Sequence, residues 1–190
     1  MKRTALLCGL LLLGLAGCGV PGGGAEHAQD NGIVNTAGPG QTATLEPMQG
    51  KKAPDFQLPK VSGDGDVRLQ DLLGKEVLVI NTWASWCGPC IEEMPVLVQA
   101  SQRYKGKVQF VGVNMTVEDS AADAKRFVDE HHIPYLTLLD PKGRFLEDYH
   151  IVGTPTTFIL RPDGTIVGVI LGPASEASLE KWIRQALSQA

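Results

Sequence analysis

Two thiols three residues apart, Cys87 and Cys90, sit in the run Trp86-Cys87-Gly88-Pro89-Cys90. At that spacing they can close into a disulfide and reopen. A strand-like run from Glu76 to Asn81 precedes them, and a helix-like run from Pro89 to about Arg103 follows. The pair therefore falls where a strand gives way to a helix N-terminus. Unpaired backbone N–H groups and the helix dipole favour a thiolate there. Cys87, at or just before the helix start, is expected to be the accessible, attacking thiol. Cys90 lies one turn inward on the same face and is expected to be buried and to resolve. Gly88 keeps side-chain bulk off the sulfurs. Pro89 is tolerated in the first turn because its missing N–H would be unpaired there.

Other uses of such a pair are weaker. A zinc site would need a second Cys-x-x-Cys, and His131, His132 and His150 lack ligand spacing. A purely structural bridge over so short a loop gains little chain entropy. Haem attachment would need a histidine where Ile91 stands.

Glu93 follows the thiols at the next i+3 step, so Cys87, Cys90 and Glu93 drift only slowly around the helix. A carboxyl near the buried thiol in an apolar setting would have a raised pKa. It could then exchange a proton with Cys90. The residues alone equally allow a solvated first-turn glutamate that complements the dipole, as Glu92 does. Pro95 sits inside the helical run, where it removes a hydrogen bond and bends the helix. Trp83 reads as core or as a border of the disulfide, and Trp86 as part of a binding rim. Asp140 and the histidines read as turn and surface residues.

Several elements must position these groups. Ala53 to Leu58 reads as an edge element, and Val67 to Leu69 as a second short strand. Leu78-Val79-Ile80 is a continuous apolar run, typical of a central strand covered on both faces. Strands are expected at Val108 to Val113 and Leu136 to Leu139, with a helix from about Ser120 to His131 between them. Thr156 to Leu160 and Thr165 to Leu171 flank Arg161-Pro162-Asp163-Gly164, a strong hairpin signal. A last helix, about Glu176 to Leu187, places Leu179, Trp182, Ile183 and Leu187 on one face. Early crossovers and a late hairpin predict an α/β fold, a mixed sheet with helices on both faces.

The 190 residues allow one domain plus extensions, and 43% hydrophobic residues suffice for its core. There are 17 basic and 21 acidic residues and no basic stripe, which argues against nucleic acid as a partner. The chain opens with Lys2-Arg3 and a short apolar run from Ala5 to Ala16, which reads as a secretory signal. That run ends in Leu15-Ala16-Gly17-Cys18, which resembles the bacterial lipobox, so Cys18 is expected to carry lipid. Cys8 would leave with the signal. Cys87 and Cys90 would then be the free thiols. An acidic mature chain has little attraction to anionic lipids, so a covalent anchor fits. Gly19 to about Gln49 lacks periodicity and reads as a tether with a reach on the order of 30 Å. The expected organisation is a lipoprotein signal at 1–17, a lipidated N-terminus and tether at 18–50, and one domain at 51–190.

The run Trp83-Ala84-Ser85-Trp86-Cys87-Gly88-Pro89-Cys90, its upstream strand and the later Thr154-Pro155 resemble the thioredoxin superfamily. The likeness covers about Ala53 to Ala190. The added N-terminal elements, an insertion around Thr116 to Leu139 and the signal narrow it to a branch. That branch is the ResA/TlpA-like, membrane-anchored extracytoplasmic thiol–disulfide oxidoreductases, with an AhpC/TSA-redoxin-like domain.

The resemblance implies a thioredoxin-like fold with extra N-terminal strands and a βα insertion. It implies a cis Pro155 beside the disulfide and a Thr154 backbone that pairs with substrate. Without it, a trans proline ending a loop is the ordinary reading. It implies a client-binding set of Trp86, Gly88, Pro89, Thr154 and Pro155, and it favours a catalytic Glu93. Cytoplasmic thioredoxins carry a buried aspartate six residues before the first cysteine. Here that residue is Asn81, which cannot titrate. Beyond the redox-active disulfide itself, no cofactor and no metal is implied. The implied partners are exported proteins with disulfides, apocytochrome c among them, and a membrane electron donor of the CcdA/DsbD type. Gly-Pro between the cysteines resembles the reducing members. A disulfide oxidase or isomerase and a non-enzymatic binding module are the alternatives. A peroxidase fits less well, because Ala84 stands where that pattern needs threonine.

Overall fold

The structure is a computed structural model and describes residues 48–189. The signal segment, Cys8, the lipidation at Cys18 and the tether through residue 47 lie outside the described residues.

A central sheet of five strands runs in the order β5-β4-β3-β6-β7. These are β3 (Val77–Trp83), β4 (Val108–Asn114), β5 (Leu136–Leu139), β6 (Thr156–Leu160) and β7 (Ile166–Leu171). β3 is parallel to β4, and β4 to β5. β6 is antiparallel to both β3 and β7. The mixed sheet therefore follows the expected order of crossovers and hairpin. β3 is its middle strand, and every one of its residues is buried. That explains its unbroken apolar run, because both faces are covered.

The strand alternation sorts the core. Val77, Val79 and Trp83 point to one face. Three longer helices cover that face: α2 (Gly88–Arg103), α3 (Ala121–Glu130) and α5 (Glu176–Leu187). Leu78 and Ile80 point to the other face. It is covered by the antiparallel pair β1 (Gln57–Pro59) and β2 (Asp66–Arg68) and by two short helices, α1 (Leu69–Leu72) and α4 (Arg144–Asp148). The expected early strands thus form a separate two-stranded sheet. One bridge, Lys60 to Leu138, links that region to the main sheet.

Local rules account for the helix ends. Ser120 caps α3 by accepting the N–H of Asp123 at 3.0 Å. Ser175 caps α5 through Ser178. α5 buries Leu179, Trp182 and Ile183, as its pattern predicts. Trp182 lies flat on β7, where a Cβ at Gly168 would fall 2.3 Å from its ring. Asp140 departs from the surface reading. It is fully buried, its backbone N–H donates to Asn114 and its Oδ2 accepts the N–H of Leu146. The turn it opens is folded inward by α4, which brings Phe145 and Tyr149 into the core.

Candidate active site

Cys87 is the N-cap of α2, and its Sγ accepts the N–H of Cys90 at 3.3 Å. The helix dipole and this N–H favour a thiolate at Cys87 once the bridge opens. The two cysteines are joined as a disulfide, with Cα atoms 5.3 Å apart. Cys90 is 0% exposed and Cys87 4%. The order of burial is as expected, but Cys87 is less open than its position suggested. The reason lies across the sulfur: the carbonyl oxygen of Thr154 is 3.7 Å from Cys87 Sγ.

The Thr154–Pro155 bond is cis. Pro155 is buried and leads directly into β6. Thr82 on β3 fastens this junction in both directions. Its Oγ1 donates to the Thr156 carbonyl at 3.1 Å and accepts the Thr156 N–H at 3.0 Å. Thr156 Oγ1 in turn donates to the Gly153 carbonyl at 2.7 Å.

Trp86, Gly88 and Pro89 are exposed beside the disulfide. Trp86 is 60% exposed, and its Nε1 donates to the Glu118 carbonyl at 2.8 Å. A Cβ at Gly88 would meet no heavy atom within 4 Å, so the backbone here does not require glycine. Pro95, within α2, lacks the N–H that the Ile91 carbonyl would take. Among the described residues, the exposed large apolar side chains are Trp86, Ile91, Val117 and Val152. Each lies within two or three residues of a group that touches the disulfide or holds Trp86.

Glu93 is 2% exposed, two turns into α2. Asn81, Val79 and Trp83 share the face of β3 beneath that helix. Asn81 Nδ2 donates to Glu93 Oε1 at 2.8 Å, and the Ala174 N–H donates to Glu93 Oε2 at 2.6 Å. Burial pushes the carboxyl up from 4.5 to about 7, against the lowering pull of these two bonds. Its protonation therefore changes across neutral pH.

Asp119 was not visible as a site residue in the sequence. It accepts from the Ser85 N–H at 2.7 Å, Ser85 Oγ at 2.8 Å, Asn114 Nδ2 at 2.8 Å and the Ser120 N–H at 2.8 Å. Burial acts to raise its pKa, but these bonds outweigh it and hold the carboxyl below its usual value. It ties the loop before Cys87 to the start of α3. The nearby Asp-Ser pair signals only a helix cap. The partner Ser85 is 34 residues away, and no local pattern encodes it.

Among the described residues, no group of three or more His, Cys, Asp or Glu side chains is placed to hold a metal. No described helix is long and apolar enough to cross a membrane.

The Redoxin family profile matches residues 48–183. The thioredoxin-like protein YneN of Bacillus subtilis is 37% identical over 135 residues, spanning 70% of this chain and 78% of that protein. The thiol-disulfide oxidoreductase ResA of Oceanobacillus iheyensis is 35% identical over 144 residues, spanning 74% and 73%. Among solved structures, a thiol:disulfide interchange protein of the thioredoxin family from Chlorobium tepidum superposes with a TM-score of 0.62 at 27% identity. That match covers 72% of this chain and 95% of the other. The chain belongs to the Redoxin family, within the thioredoxin superfamily, and its domain is a ResA/TlpA-like extracytoplasmic thiol–disulfide oxidoreductase.

Proposed function

We propose that the protein reduces disulfides in exported client proteins, from a lipid anchor at Cys18, through a Cys87/Cys90 dithiol cycle. The observation that carries this reading is the asymmetry of the pair. Cys87 caps the helix and faces the Thr154 carbonyl, while Cys90 is sealed beneath it near a neutral-range carboxyl.

In the cycle, the Cys87 thiolate attacks a client disulfide sulfur. One client thiolate leaves and takes a proton. Cys90 gives its proton to Glu93 and attacks Cys87 Sγ. The second client thiolate leaves, and the Cys87–Cys90 disulfide remains. Two electrons have passed to the client. Trp86, Gly88, Pro89, Thr154 and Pro155 form the client-facing surface. In this reading the Thr154 backbone pairs with an extended client segment, which its carbonyl beside Cys87 Sγ supports. Apocytochrome c is a client of the right kind, and a membrane donor of the CcdA/DsbD type would return two electrons. Such a donor is needed because the compartment is oxidising.

Equilibration with glutathione tests the direction. A reductase should have a potential well below about −200 mV, and a value near about −120 mV would mark an oxidase instead.

A further inference from the structure

Asn81 Oδ1 is buried and has no hydrogen-bond partner. A buried acceptor left empty needs a reason. The other end of the same amide is fully used. Nδ2 donates to Glu93 Oε1 at 2.8 Å and to Thr157 Oγ1 at 3.0 Å. Thr157 stands directly opposite Asn81 in the β3–β6 register, on the face covered by α2.

This orientation suits one charge state of Glu93. An ionised carboxylate accepts from Asn81 on one oxygen and from the Ala174 N–H on the other. A protonated carboxyl does not fit the same arrangement. Its Oε2 faces a backbone N–H, which cannot accept a proton. A proton on Oε1 would find no acceptor in the Asn81 NH2, which can only donate. An amide has nearly the same shape after a half-turn, which exchanges its oxygen and nitrogen. The turned amide would present Oδ1 to both the Glu93 O–H and the Thr157 O–H.

We infer that Asn81 is a two-state positioning residue, whose amide donates to ionised Glu93 and turns over to accept from protonated Glu93. Each orientation leaves one end of the amide unpaired, Oδ1 in the first and Nδ2 in the second. The two are therefore close in energy, and the proton on Glu93 decides between them. Aspartate at this position would set a second carboxyl against the first. An apolar residue would serve neither state. Among the neighbouring elements, Tyr135 is the titratable side chain that faces Glu93. Burial and the Glu93 charge keep it protonated. The disulfide does not titrate, and Thr157 and Ala174 bring neutral groups.

The inference rests on Glu93 as the proton carrier, and one experiment separates the two. The Asn81 side-chain amide and the Glu93 carboxyl carbon are followed by NMR in the oxidised full chain between pH 4.5 and 9. The expected result is a shared midpoint, with the Asn81 NH2 losing its proximity to Thr157 on the acid side. In Glu93→Gln the Asn81 amide should not titrate. In Asn81→Ala the Glu93 midpoint should move by less than about half a pH unit, because the charged form loses a donor and the protonated form loses an acceptor. A rise of about one unit or more would show that Asn81 serves the charged form alone and would overturn the inference. A titrating Glu93 beside an unmoved Asn81 amide would overturn the inference alone. A Glu93 that does not titrate in this range would overturn the proton-carrier reading as well.

Discussion

The backbone N–H of Ala174 donates to Glu93 Oε2 across 2.6 Å, which ties the active-site helix to the segment leading into α5. A neutral donor lowers the pKa of a buried carboxylate but does not cancel the cost of burying it, and Glu93 stays near 7. The unfolded chain releases this proton at about 4.5, while the folded chain holds it to about 7. The stability that Glu93 contributes is therefore full below pH 4.5 and is lost as pH rises through 7. The gap corresponds to ~3 kcal/mol at most. Urea unfolding of the oxidised protein and of Glu93→Gln should show the wild type losing up to that much relative to the variant between pH 4 and 8. A constant difference would contradict the assignment.

The burial order of the cysteines predicts which one captures a client. Cys90→Ser should accumulate a mixed disulfide through Cys87, because the resolving thiol is gone. Cys87→Ser should capture almost none, since Cys90 is fully enclosed. Non-reducing electrophoresis with a disulfide-bonded peptide reads the outcome. Equal capture by both variants would mean that the helix-capping cysteine is not the nucleophile.

Asp119 holds the loop that presents Trp86. Asp119→Ala would leave the Ser85 N–H, Ser85 Oγ and Asn114 Nδ2 without their acceptor. The expected loss is about 1–3 kcal/mol of stability. The Trp86 indole N–H should also exchange faster with solvent as its bond to Glu118 loosens. Hydrogen exchange at that indole is the check, and unchanged protection would show that Asp119 does not govern Trp86.

Gly168→Ala should destabilise the domain by about 3 kcal/mol, because a Cβ would lie 2.3 Å from the Trp182 ring. Gly168 pairs with Ile159, three residues along β6 from the Thr156 junction beside the disulfide, so the potential should not move. Shrinking the ring with Trp182→Leu in the same chain should recover part of the loss in urea unfolding. An additive double variant would refute the clash.

Much of this architecture was legible where the information is local. The unbroken apolar run of Val77 to Ile80, the Arg161–Gly164 hairpin and the apolar stripe of α5 are each written in neighbouring residues. The thiol pair, Glu93 and Asn81 were also visible as single residues. The hydrogen bond between Asn81 and Glu93 was not, because it depends on how α2 sits over β3, which no spacing encodes. Asp119 was hidden for the same reason, as its partners come from three different segments. α1 and α4 are too short, at 4 and 5 residues, for a helical period to show. Asp140 was misread because a turn residue is ordinarily solvated, whereas here α4 closes over it.

The central claim is that Glu93 takes the Cys90 proton when the mixed disulfide resolves. Its most direct test is the single-turnover rate of that step between pH 5 and 9, in the wild type and in Glu93→Gln. The wild-type rate should break near pH 7, where the buried carboxyl titrates. In Glu93→Gln the rate should fall by roughly 10²-fold or more, the usual size of a general acid–base contribution, and that break should vanish. A variant that matches the wild type across the whole range would contradict the account.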